Sequence, residues 1–182
     1  MSETLKFNRK NLIKVGDLIK KGKIGVIPTD TIYGLVAKAL DKKAVERVYQ
    51  IKKRNKKKAV IVLIGSIKQL DLFKIKIDRR MEDFTKKIWP GRVSLIFFCA
   101  DKKFWHLTRQ NNSLAFRLPQ EKWLIDLIKR TGPIIAPSAN IENKPSARTT
   151  KEAKVYFDDQ IDFYLDRGEL IGQPSILLKI LR

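Results

Sequence analysis

The sequence predicts an α/β layered fold in one domain, residues 1–182, and three observations lead there. Short apolar runs alternate with amphipathic helical stretches. Several of the runs, such as "AVIVLI" and "VSLIFFC", are apolar at successive positions, which suits strands buried on both faces. No repeat, low-complexity segment or Pro/Gly/Ser-rich linker divides the chain.

Each element has its own signal. Residues 8–21 place Leu12, Val15, Leu18 and Ile19 on one helical face. Strands follow over 24–28 and 32–37. The helix over 41–54 carries Ala44, Val48 and Ile51 on one side, with Asp41 as its N-cap. After a strand at 59–64, Met81, Phe84 and Ile88 mark a helix over 78–88. Strands at 93–99 and 114–118 precede the amphipathic "EKWLIDLIKR" at 121–130. A strand at 133–137, a helix at 149–157 and strands at 161–165 and 175–181 complete the set. This pattern does not give the strand order.

Composition narrows the function. A chain of 182 residues that is 43% hydrophobic can bury a sizeable core. It has no apolar run long enough to span a bilayer, and its charged N-terminus lacks the apolar centre of a signal peptide. A cytoplasmic protein with no membrane contact is expected. The single cysteine, Cys99, rules out an intramolecular disulfide and a cysteine-rich zinc site, and reads as a small core residue. The single histidine, His106 in "KFWHLTR", lacks the context of a catalytic triad and reads as an ordinary surface or partly buried residue. A net charge of +20 suits polyanionic partners: nucleic acid, anionic membrane surface or phosphorylated ligands. Lysine, isoleucine and asparagine are abundant, as in proteins coded by AT-rich genomes, so the charge alone supports RNA contact only weakly.

In α/β folds ligand groups stand at strand ends and in adjoining loops. In "GVIPTDTIYGLVA", Thr29, Asp30, Thr31 and Tyr33 crowd between two segments that read as core. "IKKRNKKKA" then puts Lys52, Lys53, Arg54, Lys56, Lys57 and Lys58 into residues 52–58. Three readings stand for this cluster: a solvated helix end, a nucleic-acid patch, or a side-chain clamp for a triphosphate. Taken alone, the solvated end is favoured. No Walker A pattern or spaced glycine-rich loop is present. "PSAN" offers Ser138 and Asn140, which suit either a self-satisfied turn or an anion nest, the turn being favoured in isolation. Arg117, ending the strand in "FRLP", calls for an anionic partner, structural or ligand.

Taken together and in this order, the segments resemble the YrdC/TsaC family, the L-threonylcarbamoyladenylate synthases, in their short single-domain form. The resemblance rests on "PTDTIYGL", on "IKKR" with its K-x-R, and on "WPGRVS" where the family has W-P-G-P-x-T. "LAFRLP", "APSAN" with a following "PS", and a late "PS" at 174–175 add to it. It covers nearly the whole chain. It implies a twisted, mostly mixed sheet flanked by helices, with a large basic concave cavity. It also implies condensation of L-threonine, bicarbonate and ATP, with Mg²⁺, into threonylcarbamoyl-AMP and pyrophosphate. Other proteins, a threonylcarbamoyl transferase complex, then modify adenosine in tRNA, and direct tRNA contact is possible.

The resemblance also carries residue roles. Lys52 and Arg54 match the catalytic cationic pair near the phosphates. Thr31, Tyr33, Arg117, Ser138 and Ser175 match contacts to threonine. Lys58, Ser113, Ser138, Asn140, Ser146 and the last residue, Arg182, match contacts to ATP, alongside Lys52 and Arg54. No protein metal ligand is implied. The sequence departs from the family pattern at Arg92, Ser94 and Ile176. Two rival readings exist: an RNA-binding module without turnover, and a related domain from hydrogenase maturation. The basic run lacks the interleaved aromatics of a stacking platform. The zinc-finger and acylphosphatase-like segments that accompany the second are missing.

Overall fold

The computed structural model describes residues 1–180. Nine strands form one mixed sheet in the order β1-β8-β2-β3-β7-β4-β6-β5-β9. They are β1 (Glu3–Lys6), β2 (Gly25–Ile27), β3 (Gly34–Lys38), β4 (Ile61–Leu63), β5 (Val93–Phe98), β6 (Ser113–Arg117), β7 (Ile134–Ile135), β8 (Phe163–Asp166) and β9 (Ile176–Lys179). Six helices flank them: α1 (Arg9–Lys20), α2 (Lys42–Ile51), α3 (Arg79–Ile88), the short α4 (Trp105–Thr108), α5 (Lys122–Thr131) and α6 (Thr150–Phe157). Pairing is parallel for β1–β8, β2–β8, β4–β6 and β5–β9, and antiparallel for β2–β3, β3–β7, β4–β7 and β5–β6. The expected mixed sheet flanked by helices is therefore present. No helix among the described residues is long and apolar enough to cross a membrane.

Local chemistry starts the helices where the sequence suggests. The Asn8, Asp41, Asp78 and Thr149 side chains each accept from the backbone N–H three residues on, at the starts of α1, α2, α3 and α6. Each such cap stabilises its helix by about 1 kcal/mol.

Side-chain alternation splits the core in two. On one face Val26, Leu35, Val62, Phe116 and Tyr164 pack under α2, α4 and α6. On the other, Ile27, Val36, Leu63, Ile134 and Phe163 meet Val15 and Ile19 of α1 and Leu124, Leu127 and Ile128 of α5. That second layer reaches only as far as β4. Beyond it β6 and β5 carry Ser113, Arg117, Ser94 and Ile96 on the same face, by the period of two along each strand. The site lies on this stretch of sheet.

Three elements differ from expectation. Strand β1, "ETLK", was not expected, because only Leu5 is buried and its neighbours are exposed, so no alternation marks it. Strand β7 shrinks to two residues. Strand β9 is shorter than the expected 175–181 and lies at the sheet edge with Ile176, Leu177 and Leu178 exposed. His106 is buried, with Nε2 3.0 Å from the Ala39 carbonyl, and Cys99 is buried as expected.

Phe116 is fully buried, its ring 4.9 Å from that of Phe73 and 6.0 Å from that of Phe97. Phe116→Ala should cost about 3–5 kcal/mol of unfolding free energy in a urea titration. Phe98→Ala, on a side chain 65% exposed, should cost less than about 1 kcal/mol.

Candidate functional site

Two clusters meet at the junction of β3 and β7. The first is built by the 28–33 loop. The Thr29 hydroxyl accepts from the backbone N–H of Thr31 (3.1 Å) and of Ile32 (3.2 Å), which curls the loop back on itself. The curl directs Asp30 and Thr31 at Arg117. Asp30 Oδ1 lies 3.2 Å from Arg117 Nη2, with the two side chains only 2% and 5% exposed. Asp30 Oδ2 accepts from the Gln120 N–H at 3.1 Å, and Arg117 Nη1 lies 3.4 Å from the Thr31 hydroxyl. The pair is close but poorly aligned, so Asp30 Oδ1 and Arg117 Nε have no hydrogen-bond partner. Burial pulls the Arg117 guanidinium below its ordinary pKa, Asp30 opposes this, and Arg92 adds to it.

The second cluster joins the basic turn to the S-A-N loop. Lys52 is 1% exposed. Its ammonium donates to the Ser138 carbonyl (2.5 Å), the Asn140 carbonyl (2.6 Å) and Asn140 Oδ1 (3.0 Å). The Ser138 hydroxyl donates to the same Oδ1 at 2.6 Å, and the Asn140 amide reaches the Lys144 carbonyl. Glu142 accepts from Lys58 Nζ (2.6 Å) and the Asn55 N–H (2.5 Å), while its own N–H donates to the Lys52 carbonyl. Arg54 Nη2 donates to the Ala59 carbonyl at 2.8 Å, and its Nε has no partner. Ser146 is half-buried beside Ala147, whose N–H donates to the Ala139 carbonyl.

The clusters are stitched together. Gly34 bridges Ser138, and the Ala139 N–H donates to the Tyr33 carbonyl. Ser175 joins from the far edge, its hydroxyl 3.0 Å from that of the buried Ser94. Ser113 and Arg117 share one face of β6 but stand at its two ends, about 13 Å apart along the strand. A ligand touching both must be long.

Two expected site residues are engaged by contacts within the protein. Tyr33 packs into the core cluster on the opposite face from Arg117. Its hydroxyl donates to the Gly168 carbonyl (2.8 Å) and accepts from the Arg167 N–H (3.0 Å), so it anchors a loop. Lys52 spends all three ammonium donors on loop oxygens, so it shapes the S-A-N loop where a direct phosphate contact was expected. Arg182 lies outside the described residues. Asp30, Ser94 and Glu142 were not singled out as site residues. The signal for Asp30 was a carboxylate between two threonines in a buried stretch, and that for Ser94 its place at the threonine of W-P-G-P-x-T; Glu142 had no local signal.

The fold and these clusters define a mixed α/β protein with an arginine-carboxylate pair beside a lysine-braced loop. The family model described as Telomere recombination, Sua5/YciO/YrdC, matches residues 17–181. The chain belongs to that family. It is 34% identical over 164 residues to the threonylcarbamoyl-AMP synthase of Pyrococcus abyssi, covering 89% of this chain and 48% of that one. The threonylcarbamoyl-AMP synthase of Bacillus subtilis is 30% identical over 98% of this chain and 52% of its own length. The crystal structure of P. abyssi Sua5 complexed with L-threonine superposes with a TM-score of 0.88 at 30% identity, over 99% of this chain and 54% of that one. The chain thus spans about half the length of these relatives.

Burial lowers the Lys52 pKa to about 7, with repulsion from Arg54 adding to it and Glu142 opposing it. The unfolded chain keeps the lysine protonated up to its ordinary value, so it binds more protons than the folded state between these limits, and stability rises with pH there. From pH 7 to pH 9 the wild type should gain up to about 2 kcal/mol more than Lys52→Met in urea unfolding. An equal pH response in both proteins would refute this.

Proposed function

We propose that the chain condenses L-threonine, bicarbonate and ATP into threonylcarbamoyl-AMP and pyrophosphate, a nucleotidyl transfer. The observation that carries this is Arg117: a buried guanidinium with an unpartnered Nε, beside the Thr31 hydroxyl. A buried planar cation with spare donors suits an amino-acid carboxylate. The relatives named as threonylcarbamoyl-AMP synthases, and the relative complexed with L-threonine, support threonine as that amino acid.

In this reading threonine lies against Thr31 and Arg117, with Ser175 and Ser138 alongside. The triphosphate lies towards Arg54, Lys58, Ser138, Asn140 and Ser146, and the nucleoside reaches towards Ser113. Mg²⁺ arrives with the ATP phosphates. Lys52 acts through the loop it braces. The amine nitrogen of threonine bonds to the carbon of carbon dioxide, formed from bicarbonate, and loses a proton to give a carbamate. A carbamate oxygen then bonds to the α-phosphorus as the bond to pyrophosphate breaks. The attacking group is already an anion, so the protein's task is to align two anions and neutralise charge. A basic chain of net charge +20 suits that task. The product would pass to a threonylcarbamoyl transferase complex acting on tRNA, in the cytoplasm.

Pyrophosphate release should require ATP, L-threonine and bicarbonate together. Arg117→Lys keeps the charge beside Asp30 but loses the planar fork. It should raise the KM for L-threonine by about 10- to 100-fold, equivalent to about 1.4–2.7 kcal/mol, with little change in the KM for ATP. Release that is independent of threonine, or salt-sensitive tRNA binding with no release, would overturn the proposal.

A further inference from the structure

The segment joining β8 to β9 has an unusual path. Strands β8 and β9 are second and ninth in the sheet. The connection over residues 167–175 is a strap that crosses between them and is pinned at both ends. At one end the Tyr33 hydroxyl pins the backbone of Arg167 and Gly168. At the other the Ser175 hydroxyl meets that of Ser94, and the Ile176 N–H donates to the Arg92 carbonyl at 3.0 Å. Midway, the Leu170 N–H donates to the Arg148 carbonyl at 2.8 Å.

Between these pins the strap rests on the loop that carries Thr31. A Cβ placed on Gly172 would lie far inside contact distance of the Thr31 carbonyl oxygen and 2.9 Å from the Thr31 carbonyl carbon. Both obstacles are backbone, so neither can rotate away. Gly172 does not adopt a positive φ, so the requirement for glycine here is close approach and not left-handed geometry. The pins at Tyr33 and Ser94 on either side limit how far the strap can shift at its middle.

We infer that Gly172 is a positioning residue for the amino-acid substrate: its bare backbone seats the 167–175 strap on Thr31 and so sets the depth of the pocket beside Arg117. The inference rests on the threonine-binding reading above. A side chain at 172 lifts the strap, draws Ser175 from Ser94, and opens the threonine end while leaving the phosphate end around Lys52 and Asn140 untouched.

The test compares wild type, Gly172→Ala and a control, Gln173→Ala, on an exposed neighbour. Hydrogen exchange of residues 168–176 is measured without ligand, and L-threonine and ATP are titrated separately in kinetic assays. Gly172→Ala should speed exchange in the strap and raise the KM for L-threonine about tenfold, with the KM for ATP and kcat at saturating threonine within about twofold. Gln173→Ala should match wild type in both. Exchange and threonine KM unchanged in Gly172→Ala would overturn the inference, as would equal rises in the threonine and ATP constants. Should wild type take no threonine, the functional reading fails, and exchange alone judges the seating: faster exchange in Gly172→Ala still supports it, unchanged exchange still overturns it.

Discussion

The buried pair between Asp30 and Arg117 is the constraint on which the site depends. Neither charge is tolerable alone at its burial, and removing one partner of such a pair costs about 3–5 kcal/mol. The pair therefore fixes the distance between the 28–33 loop and the end of β6. The Gln120 N–H on the second Asp30 oxygen ties in the segment that leads to α5. Thr31 is placed by the same loop, and the strap from β8 to β9 takes its seat from Thr31. One ion pair thus sets the position of three chain segments around one patch of sheet. Its imperfect alignment leaves donor capacity on Arg117, and a ligand anion can use that capacity without breaking the pair.

The second brace works differently. In its protonated form Lys52 is a cation surrounded by oxygen atoms that carry no net charge. Its ammonium holds the Ser138 and Asn140 carbonyls turned inward, while Glu142 draws Lys58 and the Asn55 backbone against the same loop. The basic turn and the S-A-N loop are consequently one unit. Arg54, whose Nη2 donates to the Ala59 carbonyl, keeps an unpartnered Nε.

Much of the fold was legible in the sequence because its strands are apolar runs and its helices begin at capping residues. All five expected helices and all eight expected strands are present, shifted by a few residues at their ends. Strand β1 escaped because an edge strand with one buried residue has no pattern to find. The site was legible as a set of segments, through resemblance, and less so as contacts. Tyr33 and Lys52 show why. The resemblance implied a phenol and an ammonium facing ligand, but which face a side chain takes depends on strand pairing distant in sequence. The pairing of Lys58 with Glu142 and of Ser94 with Ser175 spans more than eighty residues in each case. Gly172 was invisible for the same reason, since only the strap's path over Thr31 gives that glycine a meaning.

The central claim is that Arg117 and its neighbours form a carboxylate pocket for an amino acid. The most direct measurement is calorimetric titration of the protein with L-threonine and with L-threoninamide, which lacks the carboxylate charge. The account predicts saturable binding of L-threonine and binding of the amide at least about tenfold weaker, the loss of one charge-assisted contact. Equal affinity for the two, or no binding of either, would contradict it.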